Sequence, residues 1–153
     1  MPARKASTLL RLNGFVPFRL NRLATAVSEH LAVIYRERFG LEIPEWRILV
    51  TIGMHADCTA QQIAASTRMH KTRVSRAVAS LRRRGLIGRV ASPADARALH
   101  LALTPRGRRL YASLVPLALA REGQVLAGLK PRDRLGLERG LAGLEATLGL
   151  ERE

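Results

Sequence analysis

The stretch TAQQIAASTRMHKTRVSRAVASLRRRG, running from Thr59 to Gly85, decides how the rest of the chain is read. Thr59 followed by Gln62 has the spacing of a capping box, in which a hydroxyl and an amide satisfy the N–H groups that open a helix. This predicts a short helix through Ile63, Ala64 and Ala65, a brief turn over Ser66 to Met69, and a second helix from about His70 to Arg84. Gly85 closes it. On the second helix Val74, Ala77, Val78 and Leu81 recur at helical spacing and form the stripe to be buried. Lys71, Thr72, Arg73, Ser75 and Arg76 then fall on or beside the open face. Two short helices about a tight turn, the second presenting cations, have the pattern of a helix-turn-helix.

Upstream, Leu20, Leu23, Val27, Leu31 and Ile34 step along one face of a helix over Phe18 to Arg38, stopped by Gly40. Pro44 suits a first helical turn and opens a shorter helix through Trp46, Ile48, Leu49 and Ile52. Gly53 to Asp57 reads as its end and a turn. Downstream the period changes. Leu86 to Ala91 and Leu99 to Leu103 are short apolar or alternating runs around a Ser92-to-Arg97 turn, which predicts a β-hairpin. Thr104-Pro105 then starts a helix over Gly107 to about Leu119, with a kink or break at Pro116. Pro131 opens a last helix whose Leu137, Leu141, Leu144 and Leu148 share a face.

The fold class expected is therefore mainly α with a small β-hairpin wing: a winged helix-turn-helix domain plus N- and C-terminal dimerisation helices. Residues 1–14 form a basic N-terminal tail or arm, 15–40 and 105–150 a helical dimerisation region, and 41–104 the DNA-binding domain. The dimer follows from leucine-rich first and last segments, too much apolar surface to hide against one small winged domain. A two-fold pair would set its recognition helices roughly 34–36 Å apart, one DNA turn.

The 153 residues are one domain's worth of chain, 47% hydrophobic and 25% charged, a globular composition. Lys and Arg number 26 against 12 Asp and Glu, a formal charge of +14, and nearly all the cations are arginine. Between Asp57 and Asp95 there is no acid, yet Arg68, Lys71, Arg73, Arg76, Arg82, Arg83, Arg84 and Arg89 all fall there. A solvated helix face normally interleaves signs, so the missing anion is expected from outside. The single cysteine, Cys58, excludes an intramolecular disulfide and fits a reducing cytoplasm. No apolar run reaches the roughly 18 residues of a membrane span, and Arg11 ends the first apolar stretch too early for a signal peptide. Phosphate loops, nucleophile elbows and carboxylate pairs among histidines are absent from the sequence, so no enzyme activity and no cofactor is expected. His30, His55, His70 and His100 lie too far apart in sequence for a helical metal pair, and no metal site is expected.

Each part of the helix-turn-helix has a task on double-stranded DNA. Lys71, Thr72, Arg73 and Arg76, with Ser75, are placed to read base edges in the major groove. Thr59, Gln61 and Ser66 suit phosphates, and Arg68 stands in the turn beside them. Arg97 at the hairpin tip is the cation to enter a minor groove, with Asp95 holding its guanidinium.

The strings Leu41-Glu-Ile-Pro-Glu-Trp-Arg-Ile-Leu49, Ile63-Ala64, Val74-Ser-Arg-Ala-Val78, Gly85-Leu-Ile87, Asp95-Ala-Arg97 and Leu103-Thr-Pro-Arg-Gly107 resemble the MarR family of bacterial regulators. The likeness covers about Phe15 to Leu148. It implies a homodimer joined through first and last helices, a wing whose Asp-x-Arg touches the minor groove, and a pseudo-palindromic operator. It further implies a repressor released by a small, often aromatic or phenolic, anion. Three positions depart from the family pattern: Arg68 stands where the turn often has Gly, His70 where the recognition helix often starts with Asp or Ser, and Ala96 where the wing commonly has a first arginine.

The resemblance places an effector between the dimer helices and the winged domain, where Arg19, Arg22, His30, Trp46, Arg47 and His55 are candidates for an aromatic carboxylate. Trp46 also suits the core, and Arg47 an ion pair. Two other readings remain in view: a non-specific architectural nucleic-acid-binding protein, or a redox-responsive regulator using Cys58.

Overall fold

Each helix begins where the chain can satisfy its first N–H groups. The computed structural model describes residues 9–91 and 99–150. A 3-10 turn, Leu12–Gly14, precedes α1, Val16–Phe39, whose first turn carries Pro17. Gly40 ends α1 at φ 59°, a left-handed conformation that glycine reaches without a Cβ clash. Next comes α2, Ile43–His55. It opens on a capping box in which the Glu42 side chain accepts from the Glu45 backbone N–H and Glu45 Oε2 accepts from Glu42 N at 2.8 Å. Then follow β1 (Asp57–Thr59), α3 (Ala60–Thr67), α4 (Lys71–Arg83), β2 (Ile87–Val90), β3 (His100–Leu103), α5 (Pro105–Ala127) and α6 (Pro131–Thr147).

Three boundaries differ from expectation. The turn foreseen over Gly53 to Asp57 is largely helix, since α2 runs to His55 and turns at Ala56 with φ 63°. Asp57–Thr59 is a strand, so the two-stranded hairpin becomes a three-stranded antiparallel sheet in the order β1-β3-β2. Cys58 lies opposite Leu101, and Leu101 opposite Arg89. Three residues are too short to show alternation; their strand state comes from β3, some forty residues away. The third difference is α5. It starts at Pro105 and passes through Pro116 to Ala127. Proline removes one N–H bond from the ladder, and the remaining bonds carry the helix on.

The chain divides into two compact units, Met1–Tyr111 and Ala112–Glu153. In the first, Ile48, Leu49 and Ile52 of α2, Ile63 of α3, Val74, Ala77 and Leu81 of α4, and Leu86, Ile87, Leu101 and Leu103 around the sheet are all buried. Burying each large aliphatic side chain contributes about 1.5–3 kcal/mol, which fixes α4 against α2 and α3. The buried stripe on α4 is the one its period predicts, with Val78 half-buried. Thr104 joins sheet to helix: its Oγ1 accepts from Gly107 N at 3.0 Å and donates to Gly85 O at 2.7 Å. On α1 only Ala32 and Tyr35 are buried, while Leu20, Leu23 and Val27 are exposed. In the second unit α6 has no buried residue; Leu137, Leu141, Leu144 and Leu148 are exposed. No described helix is long and apolar enough to cross a membrane.

Candidate nucleic-acid interface

The capping box that opens α3 closes on itself. Thr59 Oγ1 accepts from Gln62 N at 3.1 Å, and Gln62 Oε1 accepts from Thr59 N at 2.8 Å. The amide of Gln62 is thereby engaged, whereas the Thr59 hydroxyl keeps its proton for an outside oxygen. Gln61 and Ser66 are exposed on the same short helix. The turn that follows places Arg68 at φ 54°, ψ 25°, so a side chain does occupy the left-handed position that glycine would fill at no cost.

His70 caps α4: its Nδ1 accepts from Thr72 N at 3.3 Å, a role that requires an unprotonated Nδ1. Lys71, Thr72, Arg73, Ser75 and Arg76 are all exposed. None of the Arg68, Lys71, Arg73 and Arg76 head groups forms an ion pair among the described residues. The first two turns of α4 thus present cations without an ion pair among the described residues, with Glu42 and Glu45 lining the cleft beside Arg73 and Arg76, on a helix narrow enough for a major groove.

Asp95 and Arg97 lie outside the described residues, as do Arg4 and Lys5 of the N-terminal segment. At the base of the wing, His100 Nδ1 and Asp57 Oδ1 stand 2.8 Å apart, tying β3 to β1. This engages Asp57, the residue before Cys58 on β1. Cys58 is buried on β1, with its Sγ 3.8 Å from Thr51 O. Among the described residues no group of three or more His, Cys, Asp or Glu is arranged to hold a metal.

Two clefts border the start of α4. One, of about 500 Å³, lies between the α2 N-terminus and the recognition face, and Pro44, Thr72, Arg73 and Arg76 line it. The other, of about 700 Å³, lies among α1, α2 and the start of α4, with Ser28, Arg36, Arg47 and Arg73 in its wall. Of the effector candidates, Arg47 lines the larger cleft; Arg19, Arg22, His30, Trp46 and His55 do not. Arg22 instead stands 6.0 Å above the Phe18 ring. Trp46 stacks on Tyr35 with ring centroids 5.1 Å apart. Burial pushes the Tyr35 phenol above its ordinary pKa, against the opposing pull of the nearby Arg47 charge.

Several participants escape a reading by sequence. Arg36 bonds Glu29 at 2.7 Å and Glu42 at 2.9 Å, and these two carboxylates raise its already high pKa, so it stays charged. Arg84 donates to Gly40 O at 2.9 Å and Phe39 O at 2.5 Å, a cation on the last carbonyls of α1. Within the charge run it is one of the cations whose anion is expected from outside the chain. Arg82, Arg83 and Arg89 line a further cleft of about 560 Å³ with no acid in its wall. The three-residue spacing of Glu42 and Glu45 is the signal that could have found their capping box; the Arg84 contact, across forty-four residues, has no such signal.

A family model described as MarR family matches residues 39–98. No curated protein matches the chain. Among solved structures, a MarR family transcriptional regulator from Silicibacter pomeroyi DSS-3 is 30% identical over 89% of this chain and 98% of its own, with a TM-score of 0.74. A MarR/EmrR family transcriptional regulator from Acinetobacter sp. ADP1 is 25% identical, covering 93% of this chain and 100% of its own, with a TM-score of 0.79. BpsR of Bordetella bronchiseptica, whose DNA binding is regulated by 6-hydroxynicotinic acid, shares the fold at 21% identity and TM-score 0.75, covering 90% and 97%.

Proposed function

This chain belongs to the MarR family of transcriptional regulators, and from that premise we propose that it is a homodimeric repressor whose paired α4 helices read a pseudo-palindromic operator. The observation that carries this reading is the exposed set Lys71, Arg73 and Arg76 at the start of α4, without an ion pair among the described residues. Thr72 and Ser75 stand beside them for base edges. Thr59, Gln61, Ser66 and Arg68 suit the phosphates of the flanking backbone. Asp95 and Arg97 are assigned to the minor groove on the family pattern.

The effector in this reading is a small aromatic carboxylate held in the cleft among α1, α2 and α4. Arg47 and Arg73 supply the charge there, and Ile43, Pro44 and Met69 an apolar wall. BpsR supports the ligand class, since 6-hydroxynicotinic acid is such a compound. Binding shifts the dimer toward a conformation whose recognition helices no longer match the half-site spacing. DNA recognition and effector binding ask for no catalytic step.

Selection of bound sequences from random duplex DNA at near-physiological salt tests this reading. An inverted repeat with half-sites about 10 bp apart is the expected outcome. Binding without an enriched motif, lost as salt rises, would replace it with an architectural nucleic-acid protein.

A further inference from the structure

One arginine faces both surfaces. Arg73 stands with Thr72 and Arg76 on the recognition side, and with Ser28 and Arg47 in the wall of the α1–α2 cleft. It is exposed, and its guanidinium has no ion-pair or side-chain hydrogen-bond partner among the described residues. Inside the cleft the charges sort themselves. Arg36 is committed to Glu29 and Glu42. Arg47, half-buried, donates to the neutral Ser28 hydroxyl at 3.3 Å, and no carboxylate answers it. The cleft wall also holds Glu29 and Glu42, both bonded to Arg36, so Arg47 and Arg73 are its cations without an ion pair among the described residues.

A guanidinium forms a two-pronged bond with one carboxylate, one phosphate or one guanine edge at a time. We propose that the effector's carboxylate and the operator also compete for the Arg73 guanidinium, so that part of the release occurs within each protomer, beside the change in half-site spacing. The proposal rests on the effector reading above and deepens it. A change in half-site spacing needs two recognition helices; withdrawal of Arg73 needs one. Arg47 anchors the carboxylate at the back of the cleft, and Arg73 closes on it from the recognition helix. Because coupling is reciprocal, bound DNA must weaken the effector by the factor with which the effector weakens DNA.

The test is calorimetric titration of the full-length chain with 6-hydroxynicotinate and with benzoate, alone and saturated with a duplex carrying one half-site. A lone half-site cannot sense the distance between two helices. Competition predicts roughly tenfold weaker binding of the acid on the duplex-bound chain, within the usual range of such couplings. Arg73→Gln should lose acid affinity comparably at unchanged melting temperature, and Arg73→Lys should keep part of it. Equal acid affinity in the free chain, the half-site complex and Arg73→Gln would overturn the competition and leave the effector reading standing. No acid binding to the free chain at millimolar concentration would overturn both.

Discussion

Arg68 sits at φ 54° in the turn between α3 and α4, where an L-residue with a Cβ carries a cost of about 1–2 kcal/mol. The departure from glycine was legible in the sequence, and so was its demand that the turn tolerate a side chain; what the side chain gains was not. An exposed cation two residues before the His70 cap is well placed for a phosphate. Arg68→Gly should therefore leave thermal stability unchanged or raise it by up to about 1 kcal/mol, since strain is relieved and some unfolded-state entropy is added. The same variant should bind every duplex less tightly, with the slope of log affinity against log salt shallower by about one. Calorimetric melting and salt-dependent anisotropy separate the two effects. His70 is a second instance: where the family pattern often has Asp or Ser, its imidazole Nδ1 accepts from Thr72 N and caps the helix.

At the scale of elements, the join between sheet and α5 leaves less room for a Cβ than any other described glycine position. A Cβ on Gly107 would meet Leu86 O at 1.9 Å, and that carbonyl also accepts from Thr104 N at 3.0 Å. The Leu103-to-Gly107 string thus has a steric reason: helix α5 starts against strand backbone, with no room for a methyl group. Gly107→Ala should destabilise the protein by about 1–3 kcal/mol or more, the range of overpacking substitutions, because backbone must move. Urea unfolding measures it, and an unchanged midpoint would mean the close approach is not there. Helices α1 to α4 were legible because each spans at least two turns of periodic sequence or carries a cap. Strand β1 was not, for Asp57–Thr59 draws its state from hydrogen bonds to β3. Nor was the course of α5, since a proline interior to a helix predicts a break only when the flanking turns cannot hold it.

Over the whole molecule, the apolar surface left in water is concentrated on the first and last helices. Leu20, Leu23 and Val27 of α1 are 40–55% exposed, and Leu137, Leu141 and Leu144 of α6 39–43%. Apolar side chains recurring along an exposed helix face suit a two-fold contact with another copy. Leu137→Glu combined with Leu141→Glu should yield a monomer in sedimentation experiments with far-UV circular dichroism retained. That monomer should bind a single half-site as the parent does and lose the extra affinity of the inverted repeat. A dimer surviving both substitutions would remove α6 from the interface. Periodicity, caps and the acid-free run between Asp57 and Asp95 were enough to establish the helix-turn-helix, its open face and the sign of its partner, because those properties are local and additive along the chain. Which cations find partners was settled by folding: Arg36 bonds Glu29 on its own helix and Glu42 at the cap of α2, Arg84 reaches the end of α1, and Arg73 and Arg47 are brought to one cleft from separate helices. Charge is a property of residues, but compensation depends on distances between segments that pattern and spacing do not specify.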